Sequence, residues 1–166
     1  MIVSAHSTPF PCRRGIPHER RIICTAFGMW EELRDEHPLP VASRYRPGDF
    51  PLLAPYVYVI KLESCLERSR FILASPVLDS TFGKLSTDLT LQEIVPADYR
   101  EQFLSYATGI VTYHKPLTES GNFFGHTGVE VLYRNIMMPA GDDGFRVTHI
   151  IGAFNFISVR DPSPEE

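Results

Sequence analysis

The sequence PADYREQFLSYATGIVTYHKP, residues 96–116, predicts one long helix in the middle of the chain. Its large apolar side chains recur every three or four residues, which places them on one helix face. These residues are Tyr99, Phe103, Tyr106, Ile110 and Tyr113. Asp98 is expected to cap the N-terminus, with Glu101 at the capping-box position, and Pro116 is expected to end the helix. Strand-like segments on both sides require this helix to lie across their sheet, and the space between is the predicted core and a candidate ligand cavity.

The composition is that of one globular domain. The chain has 166 residues, of which 43% are hydrophobic and 22% are charged, and its formal net charge is −4. This balance gives no basic footprint for nucleic acid or anionic lipid. There is no apolar run of membrane-spanning length and no signal peptide. The cysteines, Cys12, Cys24 and Cys65, form no CxxC pair, so we expect free thiols and a cytoplasmic protein without nucleic-acid or membrane partners.

Hydrophobic periodicity and turn residues divide the chain into an arm, one domain (18–160) and a tail. The predicted segments are a mobile arm (1–17), an amphipathic helix (18–37), a proline-rich connector (38–55), the sheet with its helices (56–160) and a polar tail (161–166). The strand patterns are YVYVIKLE (56–63), RFILAS (70–75), LTESGNFF (117–124), VEVLYRNIMM (129–138) and THIIGAFNFISV (148–159). This order predicts an α+β fold, in which helices cover one face of a five-stranded antiparallel sheet and the N-terminal helix lies outside it.

Individual residues add a family resemblance to this order of elements. They are Trp30, Leu33 and Arg34 before the connector, Pro47, Asp49, Phe50, Pro51, Leu53 and Pro55 within it, Arg70, Phe71 and Leu73 in the second strand, Phe82 and Gly83 after that strand, and Thr87, Leu91 and Glu93 before the long helix. From about Phe27 to Val159 the chain resembles PAS domains, and in particular the proteobacterial PAS type-five family. The resemblance implies a PAS-like sensory or regulatory module for signal transduction. Such a module binds a small ligand or a protein partner between helices and sheet, and it would act in trans because no output domain follows.

Two other functions stay open. One is a protein-interaction adaptor whose core is filled and holds no ligand. The other is a small enzyme on a related α+β fold, which requires convergent titratable groups in a pocket. We expect no enzyme, because the chain contains no GxxxxGK, GxGxxG, HExxH or GxSxG motif, and the sequence requires no cofactor.

Side chains on the predicted inner surfaces are the candidates for a ligand cavity. They are Phe71, Leu73, Phe82, Phe103, Tyr106, Ile110, Tyr133, Asn135 and Asn155. The aromatic members also fit an ordinary core. An Asn that points into such a core needs a partner, because burying an unpaired amide costs about 1–3 kcal/mol. That partner can be a ligand, a tyrosine hydroxyl or water. A register error of one residue would exchange the two faces of each strand.

The N-terminal helix carries a separate apolar face. Its members are Ile23, Phe27, Trp30 and Leu33. This face can cover the chain's own sheet or a second copy of the protein, and we expect a homodimer that uses it as the interface.

His114, at the end of the long helix, is expected to interact with the free carbonyl groups there. It also lies near the position at which haem-binding PAS domains carry an iron ligand. The six histidines are otherwise scattered, so we predict no dedicated metal site.

Overall fold

The computed structural model describes residues 18–83 and 88–159. The helices are α1 (His18–Arg34), α2 (Pro76–Phe82), α3 (Leu91–Ile94) and α4 (Ala97–Tyr113). The strands are β1 (Val57–Lys61), β2 (Arg70–Leu73), β3 (Leu117–Phe124), β4 (Glu130–Ala140) and β5 (His149–Ser158). The predicted arm (1–17) and tail (161–166) lie outside the described residues.

The five strands form one antiparallel sheet in the order β2-β1-β5-β4-β3. The last three strands are a meander, and β1 joins it beside β5. Helix α4 packs against β3 and β4, whereas α1 packs against β4 and β5 from the opposite face. The predicted fold class is therefore confirmed: the chain is an α+β domain with a five-stranded antiparallel sheet, helices on one sheet face and the N-terminal helix outside it.

The inner core lies between α2–α4 and the sheet, and it is built from aromatic rings. The Phe82 ring meets the rings of Phe71, Phe103 and Phe154 edge to face, with centroids 5.7–6.4 Å apart. Such pairs contribute about 0.5–1.5 kcal/mol each beyond the area that they bury. The aromatic residues of the sequence pattern thus hold the helical layer on the sheet.

The outer core lies between α1 and the other sheet face. Trp30 and Met29 of α1 are buried there with Ile136 and Met138 of β4. The Trp30 indole N–H donates to the Pro139 carbonyl oxygen at 2.8 Å, so its polar atom is satisfied in this apolar layer. Strand β4 therefore carries a core on each face.

The N-terminus of α4 differs from the prediction. Pro96 occupies the cap position, and no side chain caps the helix. Asp98 lies in the first turn, and its carboxylate accepts a hydrogen bond from the Phe124 N–H at 2.8 Å, so it ties α4 to the end of β3. The prediction of an Asp98 cap is wrong because this strand end takes the carboxylate. A capping interaction forms at α3 instead, where the Thr90 N–H donates to Glu93 at 3.2 Å.

Candidate functional site

The inner core contains an acidic side chain, Glu119 of β3, which is 5% exposed. Successive residues of a strand point to opposite faces, so Glu119 shares the inner face with Leu117 and Phe123, two members of the inner core. The carboxyl group therefore points toward α4 and away from water. A buried carboxyl group costs free energy unless hydrogen bonds replace its hydration.

Four neutral side chains donate hydrogen bonds to Glu119. The Tyr99 hydroxyl donates to Oε1, and Asn135 Nδ2 donates to the same oxygen at 2.9 Å. Gln102 Nε2 donates to Oε2 at 3.0 Å, and the Tyr133 hydroxyl donates to it at 3.3 Å. We call these five residues the Glu119 cluster. A carboxylate has about four acceptor positions, and here the chain's own donors occupy all of them.

The strand register builds this cluster from neighbouring positions. Glu119 and Asn135 are direct partners in the β3–β4 pairing, so their side chains lie side by side on the inner face. Gly121 is the direct partner of Tyr133, and a Cβ atom at Gly121 would lie 3.2 Å from the Tyr133 hydroxyl oxygen. The small residue on the edge strand leaves room for the Tyr133 ring.

Tyr58 extends the network across the sheet. It is the partner of Gly152 in the β1–β5 pairing, and its hydroxyl donates to Asn135 Oδ1 at 2.7 Å. A Cβ atom on Gly152 would overlap the Tyr58 ring. Tyr58 therefore reaches from β1 over β5 to β4 because Gly152 has no side chain.

The electrostatics of the site are those of an acid without a counter-ion. Burial raises the pKa of Glu119, and its four hydrogen bonds oppose that rise only in part. Burial, together with the Glu119 charge, raises the pKa values of Tyr58, Tyr99 and Tyr133. Within residues 18–83 and 88–159, Glu119 has no ion pair. The site can therefore hold a proton, or it can attract another positive group.

Most of the predicted cavity residues do lie on the inner side. Those buried in the inner core are Phe71, Phe82, Phe103, Ile110 and Tyr133. Tyr106 is partly buried against them, and Asn135 belongs to the Glu119 cluster. The Asn135 amide has a tyrosine hydroxyl and a carboxylate as partners, the first of which was among the predicted alternatives. A ligand-binding role for these residues stays a prediction.

Leu73 does not face the inner core, and its prediction as a cavity residue is wrong. Phe71 pairs with Ile60 and Leu73 pairs with Val59, so an advance of two residues along β2 lies opposite an advance of one residue along β1. This bulge turns Leu73 to the outer face, where it packs against the outer core.

Asn155 also lies on the outer face, so its prediction as a cavity residue is wrong. It shares a strand face with Ile151 and Ala153, two members of the outer core, whereas Phe154 points inward. Its Oδ1 atom accepts a hydrogen bond from the Phe156 N–H at 2.9 Å. The alternation along β5 was readable, but the pattern did not show which face was inner.

The apolar face of α1 covers the chain's own sheet. Ile23 and Trp30 are buried in the outer core, and Phe27 and Leu33 are partly buried against it. This is the first of the two roles expected for the helix. A dimer interface at these positions stays a prediction.

His114 is exposed and follows the last residue of α4. Its backbone takes the left-handed conformation, with φ 57° and ψ 34°, and its N–H donates to the Ile110 carbonyl oxygen. The side chain borders a surface cleft of about 510 Å³, which is also lined by Val111, Asp143, Phe145, Arg146 and Val147. The backbone of His114, rather than its ring, is what satisfies the helix end.

Four residues of this network were not among the predicted cavity residues: Tyr58, Tyr99, Gln102 and Glu119. One signal was available for Glu119. In LTESGNFF the acidic residue occupies the same alternating positions as Leu117 and Phe123, which marks a carboxyl group on an apolar face. No comparable signal points to Gln102, because a polar residue on a long amphipathic helix is ordinary.

Comparisons with known proteins give no match in sequence and distant matches in structure. No family model matches the chain, and no curated protein matches it in sequence. Among solved structures, it is similar to an RNA-binding light-oxygen-voltage receptor, with a TM-score of 0.48 and 15% identity over 70% of this chain and 35% of the other. It is also similar to a Rhodobacter sphaeroides LOV protein (TM-score 0.47, 11% identity, 68% and 69% covered) and to the PAS domain of Bordetella pertussis BvgS (TM-score 0.45, 22% identity, 68% and 84% covered).

The narrower resemblance to the proteobacterial PAS type-five family stays a prediction. Over residues 18–83 and 88–159, no helix is long and apolar enough to cross a membrane.

Proposed function

We propose that this chain is a sensory or regulatory module whose sensing element is the Glu119 cluster. Its input is the arrival of a positive charge at the Glu119 carboxyl group, as a proton or as the ammonium group of a small ligand. Its output is a changed position of α1, which a protein partner or a second copy of the chain reads in trans. We place this action in the cytoplasm.

The observation that carries the proposal is a buried carboxylate whose donors are all neutral. Hydroxyl and amide groups stabilise the charge of Glu119 but do not cancel it, and an uncancelled charge in the interior is costly. A proton or an ammonium group would remove that cost. Gln102, which is half-buried, is the most exposed donor of the cluster and bonds both Glu119 and Tyr133, at 3.0 and 2.7 Å. Rotation of its side chain would open the carboxyl group to an incoming group.

Strand β4 supplies the physical link from input to output. Tyr133 and Asn135 point inward to Glu119, whereas Ile136 and Met138 point outward to α1. The carbonyl group of Pro139 in the same strand accepts the Trp30 indole N–H. A change in the hydrogen bonds of the cluster would shift β4, and α1 would follow. A population shift of this kind needs only a difference in ligand affinity between the two arrangements.

The two alternative functions are less well supported by this geometry. Glu119 and Tyr133 are a convergent titratable pair, as the enzyme alternative requires, but a reacting atom that displaced one of the four donors would leave the carboxylate short of a hydrogen bond, whereas an ammonium group in the place of Gln102 would donate one. A pure adaptor would have no use for a charged group in its core, because an apolar residue there costs less free energy.

The proposal can be tested with the protein's own fluorophore. Trp30 is the only tryptophan of the chain, and it lies in the layer that is proposed to move. Its emission is recorded against pH for the wild type, for Glu119→Gln and for Glu101→Gln, a control that alters an exposed carboxyl group on α4. We expect a transition above the ordinary glutamate pKa of 4.5 in the wild type and in the control, and no such transition in Glu119→Gln.

A second arm separates an ammonium ligand from the proton. At constant pH and ionic strength, ethanolamine is added, and tetramethylammonium, which cannot donate a hydrogen bond, serves as the control cation. Native mass spectra of freshly purified protein are recorded in parallel for bound ligand. An emission change with ethanolamine alone, lost in Glu119→Gln, identifies an ammonium input. If emission is the same in the wild type and in Glu119→Gln under every condition, the proposed function is wrong, and the result favours the adaptor alternative.

A further inference from the structure

A second charged feature lies at the opposite edge of the sheet from Glu119. A cleft of about 390 Å³ is formed where the β1–β2 connection meets the two strands. The lining residues are Lys61, Glu63, Ser64, Cys65, Arg68, Arg70 and Ile72. Three cations against one carboxylate make this cleft basic, although the chain as a whole carries a formal charge of −4. Its volume is in the range of small-molecule sites.

The strand pairing places two of these cations side by side. Lys61 of β1 is the direct partner of Arg70 of β2. Like charges in directly opposite positions destabilise a strand pair. Lys61 is also paired with His149 of β5; burial lowers the pKa of that imidazole, and the Lys61 charge acts in the same direction. The pairing thus holds the positive charges of Lys61 and Arg70 beside each other.

The three cations have no carboxylate of the described chain as an ion-pair partner. Neither Lys61, Arg68 nor Arg70 has a carboxylate oxygen within 4.0 Å in residues 18–83 and 88–159. Hydrogen bonds with Thr90, its partner in the capping interaction, lower the pKa of the Glu93 carboxyl group most. The Arg70 charge is near enough to lower the pKa of Glu93 further. Three charged groups are therefore available to a ligand.

Hydrogen bonds within the connection hold the cleft in shape. The Arg68 N–H donates to the Cys65 carbonyl oxygen at 3.0 Å, and the Glu63 N–H donates to the Ser69 hydroxyl at 2.9 Å. Ser69 is buried, and its carbonyl oxygen accepts the Leu91 N–H at 2.8 Å. The backbone that carries Arg68 is thus fixed to α3, and the side chains of Lys61, Arg68 and Arg70 are exposed to solvent.

We propose that this cleft binds a small molecule that carries a phosphate group. Two guanidinium groups, one ammonium group and the Glu63 carboxylate give the lining a net charge of +2, which matches the charge of about −2 on a phosphate monoester, and arginine binds phosphate through two parallel hydrogen bonds. Ser64 adds a hydroxyl group to the lining. This site is independent of the Glu119 cluster, because the two lie at opposite edges of the sheet.

The test uses pyrophosphate as the probe and calorimetry as the measurement, on the full chain at constant ionic strength. We expect saturable binding that weakens about tenfold in Arg70→Gln, because glutamine carries no charge and can replace at most one of the two hydrogen bonds of arginine. Lys61→Gln is measured as a second variant with the same expectation, and Trp30 emission verifies that both variants are folded. Arg44→Gln is the matched control, because Arg44 is exposed and lines neither cleft described here.

Cys65 then locates the bound probe. Its thiol is exposed and lies in the cleft, whereas Cys24 is buried, and Cys12 is replaced by Ser. Bound pyrophosphate is expected to slow the reaction of Cys65 with N-ethylmaleimide, and equimolar acetate is not. The proposal is overturned if pyrophosphate does not bind, if Arg44→Gln weakens binding as much as Arg70→Gln, or if Cys65 reacts at the same rate with and without the probe.

Discussion

A buried carboxyl group is stable only when its surroundings replace the hydration that it has lost. At Glu119 the replacement comes from two hydroxyl and two amide groups, and their hydrogen bonds oppose the effect of burial without reversing it. The folded protein therefore binds the Glu119 proton more tightly than the unfolded chain does. The protonation state of this one residue is linked to the stability of the whole domain.

This linkage predicts how stability depends on pH. Because the folded pKa of Glu119 is raised, its protonated form favours the folded state, so stability falls as the pH rises from about 4.5 through the folded pKa and is level above it. Glu119→Gln should lack this fall. The measurement is the free energy of unfolding by urea at several pH values for both proteins. Each unit by which folding raises the pKa corresponds to about 1.4 kcal/mol in their difference.

Other titrating groups do not obscure this result. The hydroxyl groups that face Glu119 have raised pKa values and titrate above the window; they belong to Tyr58, Tyr99, Tyr106 and Tyr133. Burial lowers the pKa of His149, which reduces stability as the pH falls, the opposite sign. Its contribution is present in both proteins and cancels in the difference. Parallel curves for the wild type and Glu119→Gln would contradict the prediction.

At the scale of elements, glycine has opposite effects in a helix and in the sheet. Gly28 is exposed within α1, and a Cβ atom there would meet nothing within 4 Å. Gly152 lies in β5 beneath the Tyr58 ring, where a Cβ atom would overlap the ring. Gly28 therefore weakens α1, whereas Gly152 makes it possible for the Tyr58 side chain to cross β5.

The same substitution at the two positions should change stability in opposite directions. Gly28→Ala is expected to stabilise the protein by about 0.5–1 kcal/mol, because alanine is the better helix former. Gly152→Ala is expected to destabilise it by about 3 kcal/mol or more, since the Tyr58 ring must leave its place and lose its hydrogen bond to Asn135. Urea unfolding of both variants is the measurement. A Gly152→Ala protein as stable as the wild type would show that the Tyr58 ring does not need the space over Gly152.

The bounds of the elements were largely predictable from the sequence, and the faces of the strands were not. LTESGNFF coincides with β3 and the 96–116 pattern contains α4, because alternation and helical period are local properties. Leu73 was misplaced because a bulge in β2 changes which side it faces, and a bulge leaves no mark in that short pattern. The Glu119 cluster joins residues of α4, β3 and β4, so it depended on the register that brings these elements together.

At the scale of the whole molecule, the sheet separates two cores of different character. The inner core holds the aromatic rings and the Glu119 cluster, and the outer core holds the apolar face of α1. The order of the elements predicted this layering, since a helix that precedes the sheet and carries an apolar face must cover something. The identity of the covered surface, the chain's own sheet, required the structure.

The position of β4 between these cores has a consequence for the rate at which its backbone amides exchange hydrogen with water. Residues 136–140 are buried and paired with β5, and residues 136–137 are also paired with β3, whereas β2 and β3 are the outer strands of the sheet. Release of α1 would uncover only one face of β4. In deuterium exchange we expect the amides of 136–138 and 150–153 to be the last to exchange, after those of α1 and of both edge strands. Exchange of β4 together with α1 would mean that the two layers open as one unit and that no partly open state precedes unfolding.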